Sequence, residues 1–166
     1  MKNDMRVTYP LWQMGSIAIL MALVLLIGYS STFTLFEDGG FEFEFSIESK
    51  LYGIFFSASL IALIIYMTVF SWRIFRHNKR LPNQKINMLS LRPQEYMEDD
   101  ELFQEITKRA TKRVYSYFVV ALPVLAGFYM GVPIGRTWMI FGILFVALGQ
   151  YWIYYRTIRK YVMEED

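Results

Sequence analysis

Four long apolar stretches without a charged residue divide the chain into two pairs. They cover residues 11–29, 51–72, 114–132 and 137–155. A helix needs about 20 apolar residues to cross a hydrocarbon core of about 30 Å, so each stretch is long enough for one crossing. The pattern predicts an all-α integral membrane protein with four transmembrane helices, arranged as two helical hairpins in one four-helix bundle over residues 1–166.

The first stretch also resembles a cleavable signal peptide in its position near the start of the chain. Its apolar core is longer than the roughly 7–15 residues of such a signal. The sequence at 28–31, Gly-Tyr-Ser-Ser, is moreover a poor small-x-small cleavage site. These two features favour a retained transmembrane helix.

The hydrophobic period changes to two between the first and second stretches, in residues 32–48. Apolar side chains fall on odd positions there and polar ones on even positions, an alternation typical of β-strands. The sequence Glu-Asp-Gly-Gly at 37–40 interrupts the alternation, and its glycines adopt positive φ without steric cost. The segment therefore predicts a β-hairpin.

The same alternation predicts the register of the hairpin. A two-residue loop at 38–39 sets Leu35 opposite Glu42, whereas a three-residue loop at 38–40 pairs Leu35 with Phe43 and keeps one face apolar. Two strands alone are marginal in water, so this face needs a cover. The cover is either the protein's own helix ends or the lipid headgroup layer, or else a partner or second copy, for which this face is the candidate binding surface. The face contains Phe33, Leu35, Phe41, Phe43, Phe45 and Ile47.

The segment between the second and third stretches, residues 73–113, changes from basic to acidic and back to basic. Its first part is predicted to contact anionic lipid headgroups, although the same charges also serve as a simple topogenic signal. These candidate headgroup residues are Arg73, Arg76, Lys79, Arg80 and Lys85. From about Asp99, apolar side chains recur at intervals of three and four, which predicts an amphipathic helix that continues into the third stretch.

The third and fourth stretches are joined by only four residues, 133–136. Such a connection allows only an antiparallel helical hairpin, so the two helices must be neighbours. Pro123 lies inside the third stretch and is expected to kink it. Residues 156–166 form a polar tail.

The distribution of basic residues predicts the orientation of the chain. Of its 17 lysines and arginines, all except Lys50 and Arg136 lie on one side of the four stretches. Basic residues accumulate on the cytoplasmic side of membrane proteins. We therefore expect a multi-pass protein of the cytoplasmic (cell) membrane with both termini in the cytoplasm and the hairpin outside.

No motif in the sequence specifies a reaction. The chain has no cysteine, and its one histidine, His77, stands among cations that would repel a metal ion. The acidic residues at 98–101 lack the spacing of a calcium-binding loop and are read as a complement to the helix dipole. The four stretches contain no ionisable residue of the kind that proton relays and ion-coupled transporters need. We therefore predict no catalytic residue, no metal and no cofactor.

Small residues at intervals of three, four or seven allow transmembrane helices to approach closely. They occur in three of the four stretches and are predicted to pack against other helices, either of this chain or of another subunit. These residues are Gly15, Ala18, Ala22, Ala58, Ala62, Gly127 and Gly131.

Three functions are compatible with this layout. The first is a non-enzymatic accessory or regulatory subunit of a membrane complex, which binds a membrane-protein partner or a second copy of itself. The second is an oligomeric channel or transporter subunit, and the third is an enzyme that acts on lipid at the interface. The expected surroundings are membrane lipid, and a net charge of only +2 gives no reason to expect nucleic acid.

Overall fold

The computed structural model describes residues 5–35, 41–47, 49–80, 86 and 101–164 of the 166-residue chain. Four helices and two strands follow one another in this part of the protein. They are α1 (Met5–Ser30), β1 (Ser31–Leu35), β2 (Phe41–Phe45), α2 (Lys50–Arg80), α3 (Glu101–Gly131) and α4 (Arg136–Glu164). All four helices are long and apolar enough to cross a membrane, as the sequence predicted.

Local signals in the sequence account for several helix ends. The Oγ atom of Ser49 accepts a hydrogen bond of 3.1 Å from the backbone N–H of Tyr52 and so caps the start of α2. The last turn of α2 carries Lys79 and Arg80, and the first turn of α3 carries Glu101. Each of these charges is opposite in sign to the helix end beside it, which stabilises that end.

The helices extend beyond the apolar stretches from which they were predicted. The amphipathic segment and the third stretch form one continuous helix, α3, as predicted. The segment interpreted as a polar tail continues α4 as a helix to Glu164. The reason is tertiary, because Thr157 and Ile158 are buried and Ile158 packs against Ile106 and Ala110 of α3.

The helices form an open row and not a closed four-helix bundle. Among the described residues, extensive helix packing occurs between α2 and α1, between α1 and α4, and between α4 and α3. This gives the order α2–α1–α4–α3, and it confirms that α3 and α4 are neighbours. A closed bundle would also pack α2 against α3. Along the helix axes, the row has two ends. We call the one at which α2 ends and α3 begins the link end, and the opposite one the hairpin end.

The hairpin is antiparallel, but its predicted register is wrong by two residues. The structure pairs Phe33 with Phe43 and Leu35 with Phe41. A shift of two preserves the alternation of faces, so the pattern alone did not distinguish the two registers. The register is also fixed at the base of the hairpin, where the N–H of Ser46 donates to the carbonyl of Ser30 at 3.0 Å. The Ser30 hydroxyl donates in turn to the Ser46 carbonyl.

Two clusters of buried residues lie at the link end, on both sides of the first turns of α1. One cluster joins α1 to α2 and contains Met5, Phe70, Ile74 and Ile86. The other joins α1 to α3 and α4 and contains Val7, Ile106, Ala110 and Ile158. The start of α1 is therefore the element that connects the two helical pairs.

One described residue of the 73–113 segment is held against the end of α2. The Asn78 side chain donates to the carbonyl of Ile86 at 2.9 Å and accepts from its N–H at 2.8 Å. These two bonds satisfy both backbone groups of a buried residue. They tie the chain after α2 back onto that helix.

Candidate functional site

Tyrosine hydroxyls connect neighbouring helices at four positions. At one of them, Tyr52 of α2 donates to the carbonyl of Leu26 in α1. Tyr66 donates to the carbonyl of Trp12 at 2.8 Å, which joins α2 to α1. Between α3 and α4, Tyr129 donates to the carbonyl of Met139 at 2.7 Å and Tyr117 to that of Val146 at 3.3 Å. Each carbonyl lies in a helix, where one lone pair of its oxygen accepts the backbone hydrogen bond. The tyrosine hydroxyl therefore donates to the second lone pair of the carbonyl oxygen.

At three of these positions, a glycine three residues after the carbonyl makes room for the tyrosine. The hydroxyls of Tyr66, Tyr129 and Tyr117 lie where a Cβ atom would stand at Gly15, Gly142 and Gly149, respectively. Any larger side chain there would cover the carbonyl and displace the hydroxyl. The glycines thus allow these three hydrogen bonds to form between helices.

Of the small residues predicted to pack between helices, Gly15 has a close neighbour in another helix. The remaining six lie on exposed parts of their helices: Ala18, Ala22, Ala58, Ala62, Gly127 and Gly131. A Cβ at Gly127 or Gly131 would meet no described atom within 4 Å. The sequence analysis missed Gly142, Gly149 and also Gly28, which contacts Thr137 of α4. The seven-residue interval between Gly142 and Gly149 was a detectable signal.

The hairpin lies against the start of α2. The rings of Phe45 and Phe56 are 5.5 Å apart, and a side-chain carbon of Ile47 is 3.3 Å from the position of a Cβ at Gly53. Phe45 is nevertheless 39% exposed and Ile47 51% exposed. For Phe33, Leu35, Phe41 and Phe43, which were predicted to share this apolar face, the structure describes the backbone pairing and not the side chains.

The predicted headgroup residues lie on the last turns of α2. Arg73 stands over the ring of Trp12 at 4.8 Å and Arg76 over that of Trp72 at 5.5 Å, both distances typical of cation–π contacts. Lys79 and Arg80 are exposed, and Lys85 lies outside the described residues. These cations project from one helix and line no described cavity.

A basic groove lies between α3 and α4 at the link end, and we call it the α3–α4 groove. It is open at the surface of the protein and has a volume of about 580 Å³. Its lining residues are Arg113, Trp152, Ile153, Arg156, Thr157 and Lys160. Three of them are cations and none is a carboxylate.

Hydrogen bonds fix one wall of this groove. Arg113 reaches from α3 to α4 and donates to the Thr157 Oγ1 atom at 3.4 Å. The Thr157 hydroxyl donates to the carbonyl of Ile153 at 2.8 Å. Arg156 is exposed and forms no ion pair with any described carboxylate.

A smaller recess of about 340 Å³ adjoins the groove and shares Arg113 with it. Its other lining residues are Arg109, Lys112, Ser116 and Tyr161. Arg109 pairs with Glu105 at 2.6 Å and lies 5.6 Å from the centre of the Tyr161 ring.

This groove was not predicted from the sequence, because the cations that line it were interpreted only as signals of orientation and helix polarity. A usable signal was present. Arg113 and Arg156 are equally far along the chain from the short connection at 133–136. In an antiparallel helical hairpin, residues equally far from the turn lie opposite each other.

Within the part of the chain that the structure describes, no group of three or more His, Asp or Glu residues is placed to hold a metal ion. The sequence matches no known protein family, and neither curated proteins nor solved structures provide a match.

Proposed function

We propose that this chain is a non-enzymatic, multi-pass protein of the cytoplasmic membrane that acts as an accessory or regulatory subunit. It does so by binding a helix of another membrane protein. The observation that carries this proposal is an exposed stripe of residues along α1, the helix at which the two helical pairs meet.

This α1 stripe repeats at heptad spacing. Its members are Leu11, Ala18, Ala22, Leu25 and Tyr29, all of which are exposed. The intervals of seven, four, three and four are those of the a and d positions at which helices pack knobs into holes. Gly15 occupies the heptad position between Leu11 and Ala18, but it is covered by Tyr66 of α2 and is therefore not part of the exposed stripe. The stripe is thus spaced for a fifth helix on the face of the row.

The side chains at the centre of the stripe are small, which favours a helix over lipid as the neighbour of the stripe. Lipid tails are as apolar as leucine, so transmembrane helices associate chiefly through close van der Waals packing, and small residues permit it. Ala18 and Ala22 are one turn apart and leave a shallow depression. The opposite face of α1 exposes Leu20 and Ile27 instead, whose bulk keeps another backbone at a distance.

Two observations make the partner-binding function preferable to a channel or a transporter. The four apolar stretches contain no Asp, Glu, Lys, Arg or His residue. The hydroxyls of Ser59 and Thr68 on α2 donate to carbonyls of their own helix, at 2.8 and 2.7 Å, and are therefore already paired. A water-filled path would need a stripe of polar groups with hydrogen bonds left to make.

The orientation within the membrane is part of the same proposal. It is supported by the 15 basic residues that share one side of the four stretches. With the link end in the cytoplasm, both termini are cytoplasmic and the hairpin is outside.

Site-specific photo-crosslinking in native membranes tests the partner. A photoreactive residue at Ala22 should give one discrete adduct with another protein, and the same residue at Leu20 should not. The double substitution A18L/A22L should abolish copurification of that protein, whereas L20F/I27F should leave it unchanged.

Other outcomes of this experiment contradict the proposal. An adduct of twice the mass of the chain would show self-association and favour the oligomeric channel. Equal adducts from Ala22 and Leu20, or none from Ala22, would mean that the stripe faces lipid.

A further inference from the structure

The α3–α4 groove has the shape of an anion site that is entered from the side of the helices. Arg113 comes from α3, and Arg156 and Lys160 come from α4, so the cations converge from two helices. Among the described residues, no carboxylate lines the groove beside Arg113 and Arg156. Arginine is suited to phosphate because its planar guanidinium donates two parallel hydrogen bonds.

The groove also has an ordered change from apolar to charged along α4. Trp152, Arg156 and Lys160 lie at intervals of four residues, or about 6 Å along the axis. The polar layer of each leaflet is roughly 5–8 Å thick. If Trp152 stands at the boundary of the hydrocarbon, Arg156 lies about 6 Å above it, at the depth of the lipid phosphates. Lys160 lies about 12 Å above the boundary, beyond the polar layer, and only its long side chain can reach back to the headgroups.

We propose that the α3–α4 groove binds the phosphate of an anionic phospholipid, with Arg113 and Arg156 as the direct ligands. The acyl chains would run along Trp152 and Ile153, whose side chains line the inner end of the groove. A free phosphate ion would use the cations but leave this apolar end unfilled, which favours the lipid as the source. The proposal requires that the helices lie in a membrane but does not depend on a protein partner.

The groove differs from the basic end of α2 in a way that provides a matched control. Lys79 and Arg80 are exposed on a single helix and line no described cavity. Neutralising them removes the same net charge as neutralising Arg113 and Arg156. A general electrostatic attraction to an anionic membrane would respond equally to both changes.

Native mass spectrometry of the full chain, released from nanodiscs of phosphatidylglycerol or of phosphatidylcholine, tests this site. The parent should retain one phosphatidylglycerol and no phosphatidylcholine. R113Q/R156Q should reduce the retained fraction by about tenfold or more, because each lost charge-assisted hydrogen bond weakens binding by about that factor. K79Q/R80Q should retain the lipid like the parent, because the headgroup contacts predicted for these two exposed cations are a diffuse attraction that does not hold a single lipid after release from the nanodisc.

Further arms separate the possible sources of the phosphate and guard against misfolding. Millimolar inorganic phosphate should leave the lipid adduct in place, and its displacement by a phosphate adduct would overturn the lipid assignment. R156Q alone, at an exposed side chain, should fold normally and still reduce retention. Retention unchanged in R156Q and R113Q/R156Q, loss equal in K79Q/R80Q, or equal binding of phosphatidylcholine would each overturn the proposal.

Discussion

The contact between Tyr129 and Gly142 allows a test of helix packing in which one substitution reverses the sign of another. In the structure, the Tyr129 hydroxyl occupies the Cβ position of Gly142 while it donates to the Met139 carbonyl at 2.7 Å. The next nearest atoms, in Tyr129 and Leu125, are 3.2 Å from that Cβ position. The hydroxyl is therefore the one group that an alanine must expel.

The expected free-energy changes follow from three effects. Overpacking costs about 1–3 kcal/mol, and loss of a hydrogen bond between transmembrane helices costs about 0.6 kcal/mol and at most about 1.7 kcal/mol. Replacing glycine by alanine inside a helix returns about 1 kcal/mol. G142A should therefore destabilise the parent by about 1–3 kcal/mol, and Y129F by about 0.6–1.7 kcal/mol.

In the Y129F background the obstructing hydroxyl is absent, so G142A should be neutral or stabilise by up to about 1 kcal/mol. The two substitutions should therefore show an interaction energy of about 2 kcal/mol in a double-mutant cycle. Reversible unfolding in mixed micelles measures the four free energies of unfolding. G127A is the matched control, because its Cβ meets open space and should stabilise α3 by up to about 1 kcal/mol.

The same cycle at Gly15 should give only partial rescue. There the Cζ atom of Tyr66 is 2.6 Å from the Cβ position, so the ring itself obstructs an alanine even after the hydroxyl is removed. If G142A costs as much in the Y129F background as in the parent, the hydroxyl does not fill this position and the reasoning is refuted.

Two further predictions concern the link end and the orientation. N78A should leave both backbone groups of Ile86 without partners, at a cost of about 1–3 kcal/mol. Limited proteolysis should then cleave the N78A variant after α2 faster than the K79A control. Equal cleavage rates in the two variants would show that these bonds do not hold the segment. Cysteines introduced at Asp38 and Asn83 should react with impermeant reagents from opposite sides of intact cells, Asp38 from outside, and labelling of both from one side would exclude the four-span arrangement.

The helices and the adjacency of α3 and α4 were predictable from the sequence, and the order of the whole row was not. An uncharged run of about 20 residues has few alternatives to a helix that crosses a membrane. The order of the row depends on contacts between distant residues, such as Gly28 with Thr137 and Val7 with Ile158. All four stretches are apolar around most of their circumference, so their periodicity does not indicate which faces meet.

The hairpin shows the same division between local and distant information. Alternation predicted two strands and their faces, and both the predicted and the observed registers satisfy it. The observed register joins the end of α1 through Ser30 and Ser46. Because that end was placed by an apolar run and not by a defined cap, sequence reasoning had no fixed point from which to count the pairs.

The α3–α4 groove was hidden for another reason: the arginines that were interpreted only as signals of orientation also line the groove. Its position beside the core gives lipid binding a structural consequence. Thr157 lines the groove, while the next residue, Ile158, is buried against Val7 and Ala110 in the cluster that joins α1 to α3 and α4. A ligand that binds only the folded form stabilises it by about 2.7 kcal/mol at a hundredfold excess over its Kd. A phospholipid bound between Arg113 and Arg156 would therefore strengthen the contacts that join the two helical pairs, so the composition of the membrane would influence how firmly the row is held together.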